Sequence, residues 1–118
     1  MKKGIQKDEI KYKNEINLKY VTEKEGKQRI FGYRFVENNI NNISLIINGN
    51  KSPLVEEYDL KEGENNITIC INKTLTNLSD MFAFCESLYN IDELKYLNTE
   101  NVSDFSCIFE YCKNISQK

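Results

Sequence analysis

The sequence contains no histidine and no tryptophan, and only one proline. Without histidine, Ser-His-Asp and Cys-His sites lose their general base, and a metal site loses its commonest side-chain ligand. No Cys-x-x-Cys pair occurs among the 4 cysteines, so the usual zinc spacings are missing as well. Neither Gly-x-x-x-x-Gly-Lys nor Gly-x-Gly-x-x-Gly is present to cradle a phosphate. The carboxylate pairs Glu56-Glu57 and Asp92-Glu93 are adjacent in sequence, and adjacent side chains on a strand point to opposite faces. They read as solvated surface. A net charge of −2 offers no global attraction for nucleic acid or an anionic membrane. No apolar run approaches membrane-spanning length. The first ten residues lack the apolar segment of a secretory signal. These absences predict a non-enzymatic protein without cofactor or metal. They also predict an intracellular location, or the cell surface if the chain is part of a longer protein.

What is present is a repeat. The stretch from Thr74 to Leu88 returns 27 positions later, from Asn101 to Ile115. Leu75 falls on Val102, Leu78 on Phe105, Met81 on Ile108, Phe82 on Phe109, Cys85 on Cys112 and Leu88 on Ile115. A fixed period of this size is the mark of stacked-repeat architectures. Within each copy the apolar residues recur at i, i+3, i+6/i+7 and i+10, the stripe of a helix, and Thr74 and Asn101 stand where N-caps would. The expected core is Leu75, Leu78, Met81, Phe82, Cys85 and Leu88 from the first copy. Val102, Ile108, Phe109 and Cys112 are its expected counterparts in the second. Phe84 and Tyr111 lie two residues beyond the core phenylalanines. They form either an exposed aromatic ridge or ordinary packing between the copies.

Asn-Val-Ser-Asp-Phe-x-x-Ile-Phe-x-Tyr-Cys-x-Asn-Ile, together with Met81-Phe82-Ala-Phe-Cys85-Glu-Ser-Leu88, resembles the BspA-type leucine-rich repeat. That pattern typically runs asparagine-valine, methionine-phenylalanine, a two-residue gap, then cysteine-x-x-leucine. The second copy departs from it by apolar exchanges at Phe105, Ile108 and Ile115. The resemblance covers residues 74 to 116. It implies a right-handed solenoid used for adhesion or protein–protein contact, with no catalytic residues.

The half before the repeat alternates. Ile16, Leu18 and Tyr20 read as a half-buried strand, and so do Ile67, Ile69 and Ile71. Asn48-Gly49 between apolar runs predicts a type I′ hairpin, because both turn residues need positive φ. Pro53 has no N–H to donate, so its strand is expected to be an edge or to break there. Arg29–Phe31 suggests another strand, and the stretch from Phe35 to Ile40 a turn or two of helix. Gly63–Asn66 reads as a turn.

Cys85 and Cys112 share one apolar slot and are expected as buried free thiols, against the alternative of two disulfides. Cys107 falls on Asp80, a polar slot. Asn-x-Ser/Thr sequons recur at Asn42, Asn50, Asn66, Asn72, Asn77, Asn101 and Asn114. An asparagine-rich chain whose repeat opens with Asn-Val-Ser generates them by construction.

The fold expected from all this is α+β: a basic flexible tail (1–13), a β-rich capping domain (14–73), and a leucine-rich-repeat solenoid of about one and a half repeats (74–118). The expected function is a non-catalytic protein-binding module built on leucine-rich repeats, which binds its partner through the sheet face or the open C-terminal end. The alternatives are a structural subunit of a larger assembly, or a fragment of a longer cell-surface adhesion protein. The partner is another protein chain or further repeats stacked on the C-terminal end, with self-association as a variant. Phe84, Phe105, Tyr111 and Ile115 are the candidate contact residues.

Overall fold

A computed structural model describes residues 11–112. The central strands are those whose apolar residues alternate. β1 (Glu15–Thr22) buries Ile16, Leu18 and Tyr20, β3 (Ile43–Ile47) buries Ile43, Leu45 and Ile47, and β6 (Gly63–Ile71) buries Ile67 and Ile69. A period of two gives each strand one apolar face. The antiparallel registers bring those faces together: Ile16 lies opposite Ile69, Leu18 opposite Ile67, and Leu45 opposite Ile69 from the other side.

β4 (Asn50–Pro53) returns from β3 through Asn48 and Gly49, whose φ values of 49° and 88° suit a type I′ turn. It forms one edge of a five-stranded sheet ordered β4-β3-β6-β1-β7, so Pro53 does sit on an edge strand. The other edge is β7 (Leu88–Asn90), which comes from the repeat region and pairs antiparallel with β1. β2 (Gly26–Arg29) and β5 (Glu57–Leu60) form a separate antiparallel ribbon. α1 (Tyr33–Asn39) follows the buried pair Ile30-Phe31 and places Phe35 in the core, its ring 5.5 Å from that of Phe31. A short 3-10 helix, Asp92–Tyr96, follows β7.

Two buried asparagines hold loops to this frame. Asn65, inside β6, accepts through Oδ1 from Lys61 N and Asn48 Nδ2, and donates through Nδ2 to Lys61 O and Gly63 O. Asn39 donates to Phe35 O and, at 2.9 Å, to Asn77 O, tying α1 to the first repeat copy. Both side chains are fully satisfied, as burial demands.

The repeat region departs from expectation. Residues 74–112 contain no α-helix, and no solenoid forms. The described residues form a small β-rich unit with one α-helix and open antiparallel sheets. The first copy does not begin a parallel stack of strands: its β7 closes the antiparallel sheet beside β1, and its apolar residues enter the same core as β1, β3 and β6. The boundary drawn at residue 73 is thus crossed by one sheet and one core. Among the described residues the copies share one parallel strand bridge, Asn77 to Asp104, and their remaining backbone bonds run between turns.

The apparent helical stripe has another physical origin. Leu78, Asp80 and Phe82 each accept from the N–H three residues on, at 3.1, 3.1 and 3.0 Å. Consecutive turns of this kind repeat an apolar residue every third position, as one face of a helix does. Between them Asp80 and Phe84 adopt φ values of 62° and 64°, which no α-helix accommodates.

Of the basic tail, residues 1–10 lie outside the described residues, while Lys11, Tyr12 and Lys13 are exposed.

Candidate protein-docking end

The second copy repeats the first in backbone as well as sequence. Cys107 and Tyr111 have φ values of 57° and 58°, each 27 positions beyond Asp80 and Phe84. Glu110 N and Cys112 N donate to Cys107 O and Phe109 O, as Ala83 N and Cys85 N do to Asp80 O and Phe82 O. Each copy opens on a turn closed by a side chain: Asn77 Oδ1 accepts from Ser79 N, and Asp104 Oδ1 from Ser106 N, both at 2.9 Å. Such Asx turns suit Asn and Asp because their short side chains reach the backbone two residues on. The Ser106 N–H and hydroxyl hold the Asp104 carboxyl below its ordinary range.

The copies are joined by a backbone ladder. Leu78 N, Asp80 N, Phe82 N and Phe84 N donate to Asp104 O, Ser106 O, Ile108 O and Glu110 O at 2.9, 2.9, 2.9 and 2.7 Å. Ser103 N donates back to Thr76 O. The rings follow the ladder. Phe82 and Phe109 stack at 5.7 Å with planes 7° apart, and Phe84 and Tyr111 at 4.8 Å and 17°.

Burial separates the copies. Leu75, Leu78, Met81, Phe82, Cys85 and Leu88 are buried. Their counterparts are not: Val102, Ile108 and Cys112 are half-buried and Phe109 is 42% exposed. The expectation that Val102, Ile108, Phe109 and Cys112 complete a core is corrected in degree: Val102, Ile108 and Cys112 pack against its edge while half-buried, and Phe109 lies exposed on it. Phe84, Phe105 and Tyr111, at 53%, 49% and 62% exposure, share this end with Phe109. Ile115 lies outside the described residues. Sequence reasoning therefore brought three of its four candidate contacts into the described structure. It missed Phe109 as a surface group, along with the positive-φ positions that aim the backbone. The Asx pair at Asn77 and Asp104 was the available signal for those.

All 4 cysteines are free: Cys85 buried, Cys70 and Cys112 partly so, Cys107 exposed. Burial raises the Cys85, Cys112 and Cys70 thiols, while a hydrogen bond to Glu110 and its charge are the main causes raising Cys107. Exposure and thiolate fraction together set reactivity. Cys107 is therefore expected to be alkylated first in the native chain and Cys85 last. Glu110→Gln should quicken Cys107 labelling at neutral pH without changing Cys85. Residue-resolved mass spectrometry over a time course reads both, and prior labelling of Cys85 would contradict the packing described above.

Among the described residues, no group of three Cys, Asp or Glu side chains is placed to hold a metal ion, and no helix is long and apolar enough to cross a membrane. Compared with protein-family models, curated proteins and solved structures, the chain matches none of them.

Proposed function

We propose that this chain is a non-catalytic protein–protein interaction module, and that it receives another protein chain on the end formed by its second repeat copy. One observation carries the reading: Phe84, Phe105, Phe109 and Tyr111 are all exposed on the two repeat copies, whose backbones a ladder of hydrogen bonds joins. Exposed aromatic side chains concentrated in one short stretch of chain are uncommon on a protein surface and usually mark a contact site. Aromatic side chains are also the richest source of binding energy in interfaces. Rigid backing adds to this, because little freedom remains to be lost when a partner docks. Kinship with BspA-type repeat proteins, which the sequence pattern suggests, is consistent with such a role.

Photo-crosslinking tests the proposal. A crosslinking amino acid is placed at Phe84 or Tyr111 in the full chain, and for comparison at Tyr33, an aromatic 58% exposed on α1. In native extract the first two positions should yield one discrete protein adduct that Phe109→Asp abolishes, while Tyr33 yields none. Equal yields from all three positions would remove the case for this end.

A further inference from the structure

The exposed end is chemically one-sided, and this constrains what binds there. In the first copy the N–H groups of Leu78, Asp80, Phe82 and Phe84 all point toward the second copy, where carbonyl oxygens meet them. The carbonyls of Leu78 and Asp80 are taken by the turns that follow them, and Phe82 O accepts both from Cys85 N in its own turn and from the Cys112 thiol of the second copy. The second copy keeps the same backbone, with its positive φ at Cys107 and Tyr111 and its turns on Cys107 O and Phe109 O. Its N–H groups at Phe105, Cys107, Phe109 and Tyr111 therefore face away from the first copy. No acceptor among the described residues meets them. An ordinary strand edge alternates donors and acceptors, whereas this row sets four donors at alternate residues, with a carbonyl only at its start, where Ser103 repeats the position of Thr76.

Resting on the docking proposal above, we infer that the partner of this end is a polypeptide segment presenting backbone carbonyls at alternate residues, with flat side chains to cover Phe109 and Tyr111. A second copy of the same end does not qualify. Two donor rows brought together by a two-fold axis leave every N–H unpaired, and a buried unpaired donor costs more than the contact returns. The internal junction shows the matching chemistry. Asp104, Ser106, Ile108 and Glu110 offer carbonyls at every second residue, and Phe109 and Tyr111 lay their rings on Phe82 and Phe84.

The test uses the full chain and a synthetic peptide with the sequence of residues 101–112, carrying Cys107→Ser and Cys112→Ser, with a scrambled peptide as control. Nuclear magnetic resonance follows the backbone amides and aromatic rings of the protein, and hydrogen exchange follows the amides. On peptide addition the Phe105, Cys107, Phe109 and Tyr111 amides should shift, and their exchange should slow by about tenfold or more, as for newly hydrogen-bonded groups. The double variant Phe109→Ala/Tyr111→Ala should weaken binding by about tenfold or more. Ring signals that move without the four amides would overturn the acceptor-row inference while leaving the docking reading standing. No response at millimolar peptide would overturn the inference and count against the docking reading too. Sedimentation should find the unliganded chain monomeric; a dimer dispersed by Tyr111→Asp would also overturn the inference.

Discussion

Phe82→Ala is expected to destabilise the protein by about 3–5 kcal/mol, the usual cost of truncating a fully buried phenylalanine. Phe82 has no solvent exposure, and its ring lies 5.7 Å from that of Phe31 on one side and 5.7 Å from that of Phe109 on the other. It thus joins the sheet core to the second repeat copy. Removing it leaves a cavity whose walls are fixed, since Phe31 is itself held by Phe35 and the Phe82 backbone by its bond to Ile108 O. Phe109→Ala touches the same stack from its exposed side and should cost about 1 kcal/mol, mostly the lost ring contact. Urea midpoints of the two variants give the comparison. Equal losses would mean that Phe109 is as buried as Phe82, and the exposed end would disappear with that result.

The β frame was legible because strict alternation admits few readings. Ile16, Leu18 and Tyr20, like Ile67 and Ile69, have one apolar face whatever their partners, and Asn48-Gly49 fixes the register of β3 with β4. The ribbon of β2 with β5 was not legible. Its strands are short and polar, and Gly26 to Leu60 is a long-range pairing that no local pattern announces. Asn65 was read as part of a turn, yet it is buried within β6 because four hydrogen bonds from three neighbours satisfy it there. In the repeat, the period was legible and the conformation was not. Successive three-residue turns imitate helical spacing, and the positive-φ sites are Asp80, Phe84, Cys107 and Tyr111, where no glycine signals them. The difference between the copies was invisible for a further reason: matched residue types carry no information about which copy faces the sheet. Of the candidate site, the aromatics could be read from position alone, whereas the row of donors exists only once the turns have claimed the carbonyls.

Gly32→Ala should be nearly as damaging as Phe82→Ala, for a steric reason. Gly32 caps α1 with φ of −72°, a conformation any residue adopts, so backbone strain is not at issue. The constraint is space. A Cβ built there overlaps the backbone carbonyl oxygen of Asp80 and lies 3.0 Å from its carbon, and no flexible side chain can yield to make room. Gly32 N also donates to Met81 O at 3.0 Å, which locks the two segments at this distance. Overpacking against fixed backbone costs about 3 kcal/mol or more. Gly49→Ala provides the contrast: its Cβ meets nothing within 4 Å, so only its φ of 88° opposes the change, at about 1–2 kcal/mol. The Gly32 effect should also reach the docking end, because Asp80 N is one rung of the ladder to the second copy. In Gly32→Ala the amides of Asp80 and Phe82 should exchange faster, relative to those of β1 and β6, than in the parent chain. Denaturation midpoints for both glycine variants and residue-resolved exchange for the first would measure this. A Gly32→Ala protein as stable as Gly49→Ala, with its ladder amides unchanged, would show that α1 and the first repeat copy do not meet at Gly32 and Asp80.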